Sequence, residues 1–144
     1  MVAADLPDAE YRKLAEFRQE LRRFLSFSET QVRYAGLEPR QHQLLLILRA
    51  LPSEPPPTIG ELAERMLLRH HSTVELVARL QRRGLAQRER DRADRRVVRV
   101  RITDHGRRVL QTLTLAHREE LRRSGPALVR ALEGVVGRRT RSLP

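Results

Sequence analysis

The spacing of apolar residues changes between residues 58 and 103, and this change constrains the fold more than any other feature of the sequence. An apolar stripe first recurs at the three- and four-residue intervals of a helix face: Thr73, Leu76, Val77 and Leu80. In "VVRVRI", residues 97–102, apolar residues then alternate with arginine, as in a strand with one face in water. The segment therefore predicts a helix that ends at Gly84 and is followed by a β-hairpin.

A second helix is predicted immediately before this one. Thr58 and Glu61 have the spacing of a capping box at the start of "TIGELAERM". The preceding segment "PSEPPP", residues 52–57, contains four prolines in six residues and cannot be helical; we call it the proline connector. The order helix, short connector, helix and hairpin is therefore predicted, with "DRADRR" as the hairpin loop.

Longer helices are predicted on both sides of this region. The first runs from a cap at Asp8 to about Ala35 and ends before Gly36. The next carries Pro39 in its first turn, where proline is tolerated. After the hairpin, Thr103 caps a helix to about Arg123, the pair Gly125-Pro126 breaks it, and a last apolar helix follows.

Composition excludes several classes of protein. The chain of 144 residues has no cysteine, which excludes disulfides, thiolate metal sites and thiol redox sensing. It has no signal-peptide pattern and no apolar run long enough for a bilayer, so we expect a soluble cytoplasmic protein without a membrane partner. No acid–base or nucleophile constellation is present, so no enzyme activity, catalytic residue or cofactor is predicted. His70 and His71 point about 100° apart on a helix and lack a third ligand, so no metal site is predicted.

Positive charge is concentrated in one part of the sequence. The net charge is +11, and residues 69–101 hold eleven arginines against four acidic residues. Such a cluster favours a polyanion. A helix fits the DNA major groove, and a hairpin reaches the neighbouring phosphates or the minor groove. Aromatic residues, which stack on single-stranded RNA, are absent from this window. Duplex DNA is therefore the first hypothesis, and a basic RNA-binding or ribosome-associated winged-helix module is the alternative.

Three segments together resemble the MarR family of winged helix-turn-helix transcription regulators: "TIGELAERM", "HHSTVELVARLQRRGL" and "DRADRRVVRVRITDHG". The most specific part is Asp91, then Asp94-Arg95-Arg96, and then Thr103 to Gly106. The resemblance implies a homodimer that binds a pseudo-palindromic operator, usually as a repressor, and would associate with the nucleoid. It also implies release of DNA when a small aromatic acid binds between the DNA-binding and dimerisation regions.

The predicted fold class is mainly α with a small β-hairpin, a winged helix-turn-helix region with N- and C-terminal dimerisation helices. We expect one MarR-like domain over residues 1–144, with dimerisation helices at 8–35 and 104–139 and the DNA-binding region at 38–103. The dimer interface is expected to contain six apolar residues: Leu14, Phe17, Leu21, Leu128, Leu132 and Val135.

The resemblance and the charge pattern together give ten candidate DNA-binding residues: Arg69, His70, His71, Ser72, Glu75, Arg79, Arg92, Arg95, Arg96 and Arg99. Arg92 and Arg95 flank the hairpin turn and are expected near the minor groove. Arg99 and Arg101 share the wet strand face and are expected to meet phosphates or solvent.

The acidic residues in this basic region have separate expected roles. Asp91 and Asp94 are expected to support the turn and to hold Arg96. Glu75 either accepts a hydrogen bond from a cytosine or pairs with Arg79 four residues along, and the pair within the helix is favoured.

Ligand binding rests on the resemblance and on charge. A cleft between the first two helices, the start of the last long helix and the DNA-binding part is expected to admit an aromatic acid. Its polar lining is expected to consist of four residues: Tyr34, His42, Arg49 and Arg107.

Overall fold

The computed structural model describes residues 3–137 and is mainly α-helical with one antiparallel hairpin, as predicted. The elements in chain order are α1 (Asp8–Tyr34), α2 (Pro39–Ala50), α3 (Ile59–Met66), α4 (His70–Arg82), β1 (Ala86–Arg90), β2 (Val98–Ile102) and α5 (Asp104–Val136). We call β1, β2 and the loop between them the wing. Within residues 3–137, none of the helices combines the length and the apolarity that crossing a membrane requires.

The predicted helix boundaries rest on local signals, and most are confirmed. Gly36 follows α1 with a φ of +76°, a conformation that glycine adopts without a steric penalty. At the start of α3, the backbone N–H of Glu61 donates to Thr58 Oγ1 at 3.1 Å, and that of Thr58 donates to Glu61 Oε2 at 3.4 Å. The capping box therefore fixes the direction in which the chain leaves the proline connector.

The chain forms two compact units. One, Gln31–Leu115, contains α2, α3, α4 and the wing around a core of fully buried side chains, which includes Leu44, Leu45, Leu62, Val77, Leu80 and Val100. Val100 is the central residue of β2, so the hairpin is attached to this core through its apolar face.

The other unit combines residues 3–30 with residues 116–137. Here His117 Nε2 lies 2.7 Å from Ser28 Oγ, and the imidazole ring makes edge contacts with Phe24 and Phe27. Large apolar side chains remain exposed on this unit, including Leu14, Leu25, Leu121, Val129, Leu132 and Val135. Among the six residues expected at a dimer interface, Leu14, Leu132 and Val135 belong to this exposed set.

The predicted break at Gly125-Pro126 is wrong. A single helix, α5, continues through Pro126 to Val136. A proline removes only one backbone donor, and its cost of about 3 kcal/mol in a helix interior is small beside what a long, packed helix gains. A Cβ added to Gly125 would meet no atom within 4 Å. Glycine is therefore not required there by the close approach of another segment, and the helix is not forced to end.

The start of α5 is held against β1 by Thr103 and Gly106. The Thr103 hydroxyl donates to Gly84 O at 2.6 Å and accepts from the Gly106 N–H at 3.0 Å, which confirms Thr103 as the cap. A Cβ on Gly106 would lie 2.2 Å from Leu85 O, so only glycine permits this approach. The Thr-x-x-Gly spacing thus has a steric reason.

Candidate nucleic-acid interface

The first turn of α4 presents cationic and polar groups to solvent. Arg69, His70 and His71 are exposed and Ser72 is half-buried. No side chain caps the backbone N–H groups at this end of the helix. Thr73, which is completely buried, orients the turn by donating from Oγ1 to Arg69 O at 3.0 Å. Uncapped N–H groups at a helix N-terminus attract phosphate, because the helix dipole is positive there.

The last turns of α4 are attached to the turn between α1 and α2. Arg79 Nη1 lies 3.4 Å from Glu38 Oε2, and Arg83 donates to Gly36 O. The favoured pair between Arg79 and Glu75 is therefore wrong, because Glu38, close to the start of α2, takes the guanidinium instead. Glu75 stays exposed on α4.

The loop of the wing is built on the carboxylate of Asp91. Its Oδ2 accepts the backbone N–H groups of Ala93, at 3.1 Å, and Asp94, at 2.9 Å. Backbone bonds from Asp91 N to Val97 O and from Val97 N to Asp94 O close the loop. Asp91 thus supports the turn in the manner expected for an aspartate in a hairpin.

Each of these aspartates also binds an arginine. Asp94 pairs with Arg96, with Nε 3.1 Å from Oδ1, which is one of the two expected pairings. Asp91 pairs with Arg99 at 2.7 Å, and both side chains are only 20% exposed. The hydrogen bond from Arg99 lowers the pKa of Asp91, and that from Arg96 lowers the pKa of Asp94.

The expected outward role of Arg99 and Arg101 does not match their contacts. Arg99 also donates to Pro56 O at 2.6 Å, and Arg101 binds Glu89 and Glu54. Their strand face is therefore covered by acidic residues and the proline connector. The strand was expected to be wet because its sequence alternates, but alternation does not reveal what packs on the polar face.

Two further arginines of the wing are bound within the protein. Arg88 donates from its backbone and side chain to Gln81 Oε1, and Arg90 donates to Arg95 O at 2.8 Å. By contrast, the side chains of Arg92 and Arg95 make no hydrogen bond or ion pair with any residue in 3–137. These two lie in the tip of the wing, which we define as residues 92–95.

A cavity of about 680 Å³ separates the wing from the helices. Its wall includes His70 and Val74 of α4, Thr58 before α3, and Arg88 and Arg96 of the wing. His70, in the first turn of α4, and three arginines of the wing, Arg88, Arg90 and Arg96, therefore line a common groove.

The four residues expected to line a ligand cleft are not part of this groove. Tyr34 is 86% exposed, Arg49 and Arg107 are exposed, and His42 is half-buried. Their role in ligand binding remains a prediction. Within residues 3–137, no three histidine or carboxylate side chains come together as a metal site, at His70 and His71 or elsewhere.

Three partners in this site were missed by the sequence analysis: Glu38, Gln81 and Glu54. Glu38 and Arg79 are 41 residues apart in the chain, and Glu54 and Arg101 are 47 apart. No periodicity connects such positions. Gln81 lies seven residues before Arg88. Their contact depends on the conformation of the turn at Gly84, which brings the hairpin back toward α4, and the sequence does not give that conformation.

Comparison with known proteins gives one family and several similar folds. The model of the family described as "MarR family" matches residues 35–97. YsmB of Bacillus subtilis (strain 168), an uncharacterized HTH-type transcriptional regulator, is 42% identical over 65 residues. That match covers 45% of this chain and 44% of YsmB, so the chain matches less than half the length of this relative.

The similar solved structures cover more of the chain. AbsC, a MarR family transcriptional regulator from Streptomyces coelicolor, has a TM-score of 0.78 and 19% identity, over 93% of each chain. The S. aureus MepR–DNA complex has a TM-score of 0.66 and 18% identity, over 84% of this chain and 98% of MepR. NadR in complex with 4-hydroxyphenylacetate has a TM-score of 0.63 and 18% identity, over 83% and 77%. At these identities the likeness shows the fold, a winged helix-turn-helix.

Proposed function

We propose that the chain is a transcription regulator of the MarR family of winged helix-turn-helix proteins and that it binds duplex DNA through α4 and the wing. The observation that carries this proposal is the groove that His70, at the start of α4, lines together with Arg88, Arg90 and Arg96 of the wing. The exposed Arg69 at the start of α4 and the arginines on the wing side of the groove suit the backbone of a duplex, which carries closely spaced phosphates. MepR, which has a similar fold, forms a complex with DNA.

In this proposal, residues at different positions of α4 and the wing contact different parts of the DNA. Arg69, His70, His71 and Ser72 approach the edge of the major groove at the start of α4, where backbone N–H groups also receive a phosphate. Arg92 and Arg95 enter the adjacent minor groove. Glu75, which has no arginine partner in α4, accepts from a cytosine amino group. Arg79 and Arg96 remain available at the margin, since each pairs with one exposed acid.

The assembly in this proposal is a homodimer that acts as a repressor on a pseudo-palindromic operator. Residues 8–35 and 104–139 form the dimerisation part and 38–103 the DNA-binding part of one domain. Residues 138 and 139 lie outside the described residues. The support is the exposed apolar surface of α1 and α5, since monomers rarely leave such surface uncovered. A two-fold dimer would place its reading helices on half-sites about 10 base pairs apart.

Effector control by a small aromatic acid completes the proposal. NadR, with a similar fold, binds 4-hydroxyphenylacetate. In this chain Tyr34, His42, Arg49 and Arg107 would supply the hydroxyl, imidazole and guanidinium groups that such an acid needs. Calorimetric titration with salicylate-like acids, with and without bound DNA, is the measurement for this part.

Selection of bound sites from random duplexes tests the main function. We expect a two-fold symmetric motif, and we expect mass measurement at micromolar concentration to give a dimer. Competition with structured RNA at moderate salt is the control for the alternative function. Two results would contradict the proposal. One is tighter binding to RNA than to the selected duplex, and the other is a monomeric protein whose selected sites contain no two-fold symmetric motif.

A further inference from the structure

Arg101 joins both strands of the wing to the proline connector. It lies in β2, and its Nε donates to Glu89 of β1 at 3.1 Å. Its Nη1 donates to Ser53 O at 3.1 Å and to Glu54 Oε1 at 2.8 Å. One guanidinium therefore links three segments that are up to 48 residues apart in the chain.

Arg99, on the same face of β2, repeats this arrangement. It binds an acid of the wing, Asp91, and a carbonyl of the connector, Pro56 O. Between the two arginines, the backbone N–H of Val100 donates to Pro57 O at 2.9 Å. The wing is thus attached to the connector by two guanidinium groups and a backbone bond in three successive residues.

The composition of the connector explains why arginine is needed opposite it. Pro55, Pro56 and Pro57 have no backbone N–H, so this stretch offers carbonyl acceptors and almost no donors. Arginine provides five N–H donors in a rigid plane and no acceptor, which complements such a segment. A lysine donates from a single nitrogen, so it lacks the planar fork through which one arginine reaches an acid and a carbonyl from different nitrogens.

We propose that Arg101 and Glu54 are positioning residues for DNA binding: they fix the wing against the connector, and Arg101 itself does not contact phosphate. This rests on the proposed function for what the wing is positioned to do. The attachment orients β2, and hence the loop that carries Arg92 and Arg95. With the attachment lost, the tip samples more orientations and each contact with DNA costs more entropy.

The first experiment compares Glu54→Gln with Glu64→Gln. Both replace an exposed carboxylate by a neutral amide, but the Glu64 side chain has no partner among the described residues. Electrostatics alone predicts slightly tighter DNA binding for both. We expect Glu54→Gln to bind the selected duplex about threefold more weakly, as for the loss of an exposed ion pair. We also expect faster amide exchange at Val100 in the absence of DNA, and no such change in Glu64→Gln.

Equal tightening in the two variants, or unchanged exchange at Val100, would overturn the proposal. Faster exchange without loss of affinity would also overturn it, because the wing would then need no fixed position. If the unaltered protein bound no duplex, the proposed function would fail. The exchange rate, measured without DNA, would still decide whether Glu54 and Arg101 hold the wing.

The second experiment compares Arg101→Gln with Arg95→Gln, which remove the same charge. The logarithm of affinity falls with the logarithm of salt concentration by about 0.9 for each neutralised phosphate. We expect Arg95→Gln to reduce this slope by about 0.9 and Arg101→Gln to leave it unchanged while weakening binding at every salt concentration. A reduced slope in Arg101→Gln would make Arg101 a phosphate contact and overturn the proposal.

Discussion

Arginine occurs both on the strands of the wing and at its tip, but the surroundings of its side chain differ between the two regions. On the strands, Arg88 and Arg90 bind uncharged acceptors, while Arg99 and Arg101 bind carboxylates. At the tip, the side chains of Arg92 and Arg95 make no hydrogen bond or ion pair in the described part of the chain, although Arg92 is close enough to Glu54 to help lower the pKa of that carboxyl. Three of the four acids in the basic window, Glu89, Asp91 and Asp94, lie in the wing, and each of them holds an arginine.

This difference shows that net charge overstates the surface available to DNA. An arginine beside a carboxylate contributes little field at a distance, because the opposite charges cancel beyond a Debye length. The excess positive charge is therefore concentrated at the tip and at the start of α4, where Arg69, His70 and His71 are exposed. In the proposed function, the position of the acids therefore separates the arginines that would contact DNA from those that hold the fold.

The largest expected effect is at Arg99. Replacing it by glutamine leaves the half-buried carboxylate of Asp91 without its cation and removes the bond to Pro56 O. We expect affinity for the selected duplex to fall on the order of tenfold, because charge-assisted hydrogen bonds are the strong ones, with no change in the salt slope. Arg65→Gln, which removes the same charge from an exposed position of α3 outside the groove, is the matched control. A reduced slope with little loss of affinity would place Arg99 with the tip arginines.

Arg95→Ala is expected to have an intermediate effect that differs in kind. The side chain has no hydrogen-bond or ion-pair partner among residues 3–137, so the midpoint of thermal unfolding should be unchanged. Binding should weaken about fivefold at physiological salt, in the range of an exposed charge contact, and the salt slope should fall by about 0.9. Titrations at two salt concentrations measure both quantities. An unchanged salt slope would show that Arg95 neutralises no phosphate, so the arginines of the tip would not differ in role from those of the strands.

A smaller effect is expected for Asp94→Ala, and its sign is informative. Removal of a negative charge favours DNA, but Asp94 Oδ1 also accepts the backbone N–H of Arg96 and binds its side chain. We expect binding about twofold weaker, because loss of the exposed pair loosens the loop. Glu64→Ala removes a charge without a contact and should bind slightly more tightly. Tighter binding by Asp94→Ala would leave Asp94 with no role in holding the wing.

The smallest effect concerns the titration of Asp91. Its pKa is lowered from the ordinary 3.8, first by the hydrogen bond from Arg99 and then by the backbone N–H of Asp94. A lowered pKa in the folded state means that the stabilisation is present above 3.8 and is lost as pH falls through the lower, folded-state value. Carboxyl chemical shifts should therefore give a midpoint below 3.8 in the unaltered protein. Arg99→Gln should move the midpoint upward, and an unmoved midpoint would show that Arg99 does not stabilise this carboxylate.

Much of the fold follows from residues close together in the sequence. The expected local features are present at three places. They are the capping contact between Thr58 and Glu61, the positive φ of Gly36 after α1, and the contact between Thr103 and Gly106. These signals depend on hydrogen bonds and steric limits within a few residues, so they can be recognised in a single sequence.

Which acid pairs with which arginine in the wing depends on the register of β1 against β2, and the sequence does not determine that register. Glu89 lies opposite Arg99 but binds Arg101, and Asp91 binds Arg99 although its backbone pairs with Val97. In both cases the acid binds the arginine two residues beyond its opposite neighbour, the diagonal position on the same face of an antiparallel pair. The diagonal choice follows once the register is known. The contacts of Glu38 and Glu54 could not be predicted, because they depend on how distant segments pack.

The way in which Asp91 closes the loop has a consequence for how this protein can change. The loop is held by backbone N–H and carbonyl groups, by the carboxylates of Asp91 and Asp94, and by the Arg90 guanidinium, while the side chains of Arg92, Ala93 and Arg95 make no hydrogen bond that supports it. Substitutions at these three positions therefore leave the framework intact. A lineage could alter its preferred minor-groove sequence there, one mutation at a time, without passing through unfolded intermediates.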